Sequence, residues 1–413
     1  MNQKMKVLNI KYFLLQVLFW GAAVVSYAYM TQILEHKGYT EVEIGILYAA
    51  KMLTGVVFQM WIGAFADKHV YTFPLKNVVA ILSVISAALM TGLFVLGHNF
   101  VLMLLIFIGF GIAFITISPL IDSMALLYIK HGQNVNFAKG RAGGSISWAF
   151  LCVFAGMYCD RFGLESFPVF GIVLTVVMAL FAMSMDWDAI SKKEELKAVE
   201  SNVKSKEKKP HSVGYLFKHC PVFVMFLIGS AVMFMGYDFG NVFLIDIFTN
   251  LGGNNTHFGI AQFVLAISEV PSAFIVIKAK KKISMEKIMV ICAISMTFKN
   301  LIPTYTGHIW VVILAQAFEM LGFGLFYAGG IYLVDELIPE EDIIKATTLI
   351  SVATVGFGEG IASLFCGMIH NRLGLYGLMK VGTATNAVAI LIMIIMCYMK
   401  GNDFYDRKQR CRV

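Results

Sequence analysis

Arg141, Ser145 and Trp148 stand at i, i+4 and i+7, so a helix through them carries all three on one face. An Arg fork can grip vicinal hydroxyls or a carboxylate, and an indole offers a flat apolar platform for a sugar ring or a base. Gly143 and Gly144 beside them permit close approach of a second helix. The competing reading makes Arg141 one more cation at a membrane surface and Trp148 an interfacial anchor. Trp148 lies about 10 Å inward of Arg141 by helical rise, which favours the recognition role. A second group is Glu269, Lys299 and Glu319, each about ten to thirteen residues into an apolar run and hence near mid-depth. Charges there cost several kcal/mol unless paired or hydrated, so three at one depth face inward, as machinery for a proton or as a structural ion-pair cluster. Lys51, Asp122, Asp238 and Glu359 complete the interior set with Arg141, giving five acids against three bases. With every base paired, two carboxylates remain, and a buried unpaired carboxylate takes up a proton because desolvation disfavours its charged form. A proton-coupled carrier needs such a surplus, and sodium coupling would use the same residues.

These depths presuppose membrane-spanning helices. Of the 413 residues, 58% are hydrophobic and 14% charged, against about 45–50% and 25% in soluble domains. Apolar runs of about 20 residues, each enough to cross the hydrocarbon layer, recur twelve times, from 12–34 to 376–399. The first run is too long for a signal peptide and lacks a small-residue cleavage site, so it reads as an uncleaved helix. Of the 33 Lys and Arg, 27 fall on the terminal tails and the loops of that same side, while the opposite loops hold only Lys37, Arg161 and Arg372. The positive-inside rule then puts both termini in the cytoplasm of a cell-membrane protein. This distribution also removes the case for a nucleic-acid partner. The seven cysteines are scattered, which argues against a disulfide framework or a metal site.

Residues 186–214 are polar and charged without an apolar face, a flexible cytoplasmic linker with at most a short surface helix. They separate a six-helix bundle at 1–185 from a second at 215–413 with a cytoplasmic tail. Three segment pairs connect the halves: "GYTEVEIGI" (38–46) with "GGNNTHFGI" (252–260), "IGFGIAFITISPLIDSM" (108–124) with "LGFGLFYAGGIYLVDEL" (321–337), and "AGMYCDRFGL" (155–164) with "CGMIHNRLGL" (366–375). Their offsets of 214, 213 and 211 are nearly constant, as parallel repeats require, and carriers so built bind solute near the midplane between the repeats.

"GILYAAKMLTGVVFQMWIGAFADK" (45–68) and "GRAGGSISWAF" (140–150) resemble the second and fifth helices of the lactose-permease family. These oligosaccharide–proton symporters of the major facilitator superfamily have sugar, nucleoside and aromatic-acid relatives. The resemblance implies an all-α fold of twelve transmembrane helices. Through "PLID" it places Asp122 beside Arg141, Ser145 and Trp148 in a solute site, and through "SEVP" it places Glu269 on a sugar-contacting Glu. Lys299 falls on the family's ninth-helix Arg and Glu319 on its tenth-helix His. Gly322 stands where the family has its proton-accepting Glu, so we expect Glu319 to take over protonation, with Lys299 favouring its charged form. Tyr237-Asp238 matches a Tyr-Asp pair whose Asp is balanced by an eleventh-helix Lys. Here Glu359 lies about a turn from that position, and Lys51 is the candidate cation, in a Lys51–Glu359 or Lys51–Asp238 pair that is more structural than catalytic. "GAFADKH" (63–69) is a shortened gate signature in which Asp67 locks the cytoplasmic face, with Val70 in place of the usual glycine. Asp335, repeat counterpart of Asp122, is a gate or solvated residue, with helix capping as the alternative.

Other signals are weaker. "GFGEG" (356–360) follows no strand and reads as helix-packing glycines rather than a dinucleotide loop. No Walker A motif, nucleophile–base pair or metal-ligand spacing occurs, so neither ATP drive, an enzyme, a metal nor a cofactor is expected. The expectation is a monomeric secondary transporter that moves a small polar solute with protons by alternating access. A sugar comes first, then a nucleoside or aromatic acid. A proton-driven efflux antiporter and a non-transporting solute sensor are the alternatives.

Overall fold

A computed structural model of the chain describes residues 3–69, 73–187, 211–339 and 342–401. Lipid offers the backbone no hydrogen-bond partner, so an apolar chain closes its own bonds as helices. Ten helical stretches are long and apolar enough to cross a membrane. One of these, Lys345–Lys400, holds two passes, because Gly374 breaks it with φ 70° and ψ 175°. Phe167–Met183 is a further apolar helix of 17 residues. The described residues therefore make twelve passes. Large apolar side chains such as Trp61, Leu180, Phe274 and Leu391 stand exposed on their outer surfaces, as lipid-facing positions do.

The chain divides into two compact units, Met1–Ser205 and Lys206–Val413. Most of the expected linker, 188–210, lies outside the described residues. Its end is helical: Ser212 caps the short helix Val213–His219, its Oγ accepting from Tyr215 N at 3.2 Å.

In the first unit the first pass packs on the fifth and sixth, the second on the fourth, and the third on the sixth. In the second unit the seventh packs on the eleventh and twelfth, the eighth on the tenth, and the ninth on the twelfth. The same scheme thus serves both units, as a repeat demands. It extends to the helix interruptions. The first pass runs through Gln3–Ala23 and a π-helical turn, Val24–Ala28, and then restarts as the seven-residue helix Met30–His36. The seventh runs through Pro221–Asn241 and restarts as the seven-residue helix Leu244–Asn250, displaced by the same 214 positions as the first sequence pair.

The fourth and tenth passes, expected as single runs over 99–127 and 309–337, are also interrupted. The fourth breaks at Ala113 between Phe100–Ile112 and Phe114–Lys130. The tenth passes from Ile309–Ala315 through a 3₁₀ turn, Gln316–Met320, to Phe323–Leu337. In the eighth, Pro271 has no N–H to donate and separates Asn255–Glu269 from Ser272–Ala279. The eleventh carries a π-helical stretch, Val352–Gly360, over the three glycines of "GFGEG".

Candidate functional site

The fifth pass, Phe137–Phe162, starts where Asn136 accepts from Lys139 N at 3.0 Å. Its glycines press on the first pass: a methyl added at Gly140 would fall 2.0 Å from the Tyr12 ring, and at Gly144 2.3 Å from Trp20. Ser147 fastens the same interface by donating to Val17 O at 2.7 Å. That close approach builds a polar cluster. Arg141 donates to Asp122 Oδ2 at 3.0 Å, while Gln16 and Tyr12 donate to Oδ1 at 2.7 and 3.2 Å. The guanidinium lies 5.9 Å from the centre of the Trp20 ring, which meets Trp148 edge to face at 6.0 Å. The pair stays accessible, with 41% of the Arg141 side chain and 24% of Asp122 exposed. The Trp148 Nε1–H is buried and has no hydrogen-bond partner among the described residues. Ser145 is half-buried on the same helix.

The second unit carries a different kind of pair. Lys299 on the ninth pass, Met285–Tyr305, reaches Glu319 Oε2 at 2.6 Å, and their side chains are only 3% and 1% exposed. Glu319 sits in the 3₁₀ turn of the tenth pass. Tyr237 donates to its other oxygen at 2.9 Å, and Lys299 also donates to Asn241 Oδ1 at 3.2 Å while lying 4.3 Å from the centre of the Tyr237 ring. Glu269 ends its helix just before the Pro271 break and is half-buried.

A family model described as the MFS_1-like family matches residues 7–378. The chain belongs to the MFS_1-like family. The sucrose permease of Escherichia coli is 25% identical over 223 residues, 52% of this chain and 49% of that protein, so the match spans about half of the relative's length. Among solved structures, a variant of the nucleoside transporter NupG superposes with a TM-score of 0.80 at 15% identity, covering 95% of this chain and 99% of its own. A D-xylose–proton symporter superposes with a TM-score of 0.67 at 13% identity, covering 93% and 96%. At these identities the structural likeness speaks for fold. The chain is a multi-pass membrane transporter and not an enzyme, in keeping with the resemblance read from its motifs.

Within this MFS_1-like chain neutral groups help to hold Lys51 and Asp238. Lys51 is fully buried in the second pass, where its ammonium donates to Ser26 O in the π-helical turn of the first and lies 3.7 Å from the centre of the Tyr27 ring. Asp238 receives a hydrogen bond from Ser363 Oγ at 2.7 Å. Ser363 is on the eleventh pass, one turn beyond Glu359, so a hydroxyl stands on the helix where the similar family carries its Lys. Asp335 is exposed near the end of Phe323–Leu337. The backbone of Asp67 ends the second helix, Glu41–His69, but its side chain and Val70 lie outside the described residues.

Sequence reasoning did not single out Tyr12, Gln16, Trp20, Asn241 or Ser363. A signal existed for the first three, which stand four residues apart on one helix face, and for Asn241, one turn after Tyr237. Ser363 carries no such mark.

Proposed function

We propose that this transporter is a proton-coupled symporter of a small hydroxylated solute, a sugar before a nucleoside or aromatic acid, working by alternating access. The observation that carries the reading is the Asp122–Arg141 pair, left accessible beside two indoles and a buried Trp148 N–H with no partner among the described residues. Buried donors are normally satisfied, and a solute hydroxyl supplies what this one lacks. Arg141 retains donors beyond the one used on Asp122, and a sugar ring or base stacks on indole. Sucrose, nucleosides and xylose, named for the similar proteins, are all hydroxylated rings. In the second unit Glu269 is a further recognition residue.

The proton step belongs to Glu319. Protonation would release Lys299 from a sealed pair, and a buried pair that is either made or broken is a two-state element of the kind that switches a carrier. Both termini are cytoplasmic in this reading, the protein sits in the cell membrane, and one chain suffices.

The test uses purified protein in sodium-free liposomes with an internal pH dye, challenged with sugars, nucleosides and aromatic acids. A solute-dependent pH change that Glu319→Gln abolishes supports symport and names the solute class. Solute binding without any proton movement would overturn the coupling.

A further inference from the structure

Two of the interior acids are held by cations, Asp122 by Arg141 and Glu319 by Lys299. Asp238 is not. It lies on the seventh pass with 8% of its surface exposed, and its partner is the neutral hydroxyl of Ser363. Within its own unit no described Lys, Arg or His lies within ion-pair distance of it.

The surroundings bear this out element by element. On the eleventh pass, Cys366 approaches the Asp238 carbonyl at 4.0 Å, and His370, one turn on, stacks against Phe243 at 4.7 Å. Glu359, a turn before Ser363, is an acid. On the twelfth pass the buried polar residue Asn386 packs where a side chain at Gly236 would be. On the ninth, Asn300 donates to Gly236 O at 2.6 Å, while its neighbour Lys299 turns to Glu319.

An ionised carboxylate in such a place costs several kcal/mol, and one hydroxyl does not offset that. A serine hydroxyl has a property that a lysine lacks: it both donates and accepts. Ser363 can donate to the carboxylate or accept from the carboxylic acid, so the pair stays hydrogen-bonded in either protonation state. An ammonium in that position would hold Asp238 permanently charged.

Position gives the site a mechanical handle. Asp238 O accepts from Val242 N at 3.1 Å, at the last turn before the helix restarts at Leu244. Tyr237, the preceding residue, bonds to Glu319. One short stretch of the seventh pass therefore touches both acids, with Tyr237 directed at the tenth pass and Asp238 at the eleventh.

We propose that Asp238, with Ser363 as its two-way hydrogen-bond partner, is a second proton-binding site of the carrier, separate from the Lys299–Glu319 pair. That it is second rests on the proton step assigned to Glu319; its own protonation does not.

The experiment is infrared difference spectroscopy between acid and alkaline pH on the full-length protein in sodium-free lipid vesicles without solute. The expected result is a carboxylic-acid C=O band that Asp238→Asn removes and Glu319→Gln leaves in place. Ser363→Ala should keep the band but change its frequency and the pH at which it fades. A spectrum unchanged by Asp238→Asn overturns the proposal, as does a band that sodium suppresses, which would mark a cation site instead. If Asp238→Asn does not fold, Ser363→Ala decides, and an unshifted band then refutes the assignment. Because no solute is present, failure here leaves the symport reading standing, and absence of solute-driven proton movement in the liposome assay leaves this band untouched.

Discussion

At the scale of single residues, the Lys299–Glu319 pair invites a test that separates charge from packing. Removing one partner of a buried ion pair costs about 3–5 kcal/mol because the other charge is left without compensation, whereas neutralising both is often close to neutral. Lys299→Met should therefore lower the unfolding midpoint of the solubilised protein sharply, by an amount corresponding to about 3–5 kcal/mol. Adding Glu319→Gln to it should restore most of the loss, since Gln still accepts the Tyr237 hydrogen bond and carries no charge. Equal stabilities for the single and double variants would mean that the pair is hydrated. The charged members of the site were legible in the sequence, because an ionisable residue in a 20-residue apolar run stands out by itself. Their neutral partners were not. Gln16 and Tyr12 reach Asp122 because the first pass packs on the fourth, and Ser363 matters because the eleventh pass packs on the seventh.

The scale of elements is governed by how closely helices approach. A methyl added at Gly111 would stand 2.0 Å from Thr54 Oγ1 and 2.4 Å from Lys51 O, so the second and fourth passes touch backbone to backbone. Gly111→Ala is expected to destabilise the protein by about 1–3 kcal/mol, the usual cost of overpacking. Gly97→Ala adds a methyl where nothing lies within 4 Å and should be silent. Thermal unfolding of both variants in the same detergent checks the contrast; equal behaviour would remove the close contact as an explanation. The passes were visible in the sequence because hydropathy reports burial in lipid. The breaks at Ala113 and Gln316–Met320 were not, since the residues on either side of a bend remain apolar. Only the eighth-pass break carried a written cause, Pro271.

For the whole molecule, the repeat organises everything else. The two units use one pairing scheme and share the seven-residue helices Met30–His36 and Leu244–Asn250, so one three-dimensional plan serves both although individual side chains differ. Twelve passes return the chain to the side on which it began, and from the sequence 27 of the 33 Lys and Arg are assigned to that side. The cation bias makes a sharp prediction about orientation. In an otherwise cysteine-free protein, Glu165→Cys, in the loop after the fifth pass, should react with a membrane-impermeant maleimide on intact cells. Asn134→Cys, in the preceding loop among Lys130, Lys139 and Arg141, should react only after the cells are opened. Both positions are exposed, so a difference between them reports sidedness rather than burial. Labelling in the opposite sense would put the cation-rich loops outside and require something other than charge to orient the chain. Labelling of both sites on intact cells would mean that the chain inserts both ways. The proton-coupled symport proposed above would then have no fixed direction, since the same proton gradient would act on oppositely oriented copies.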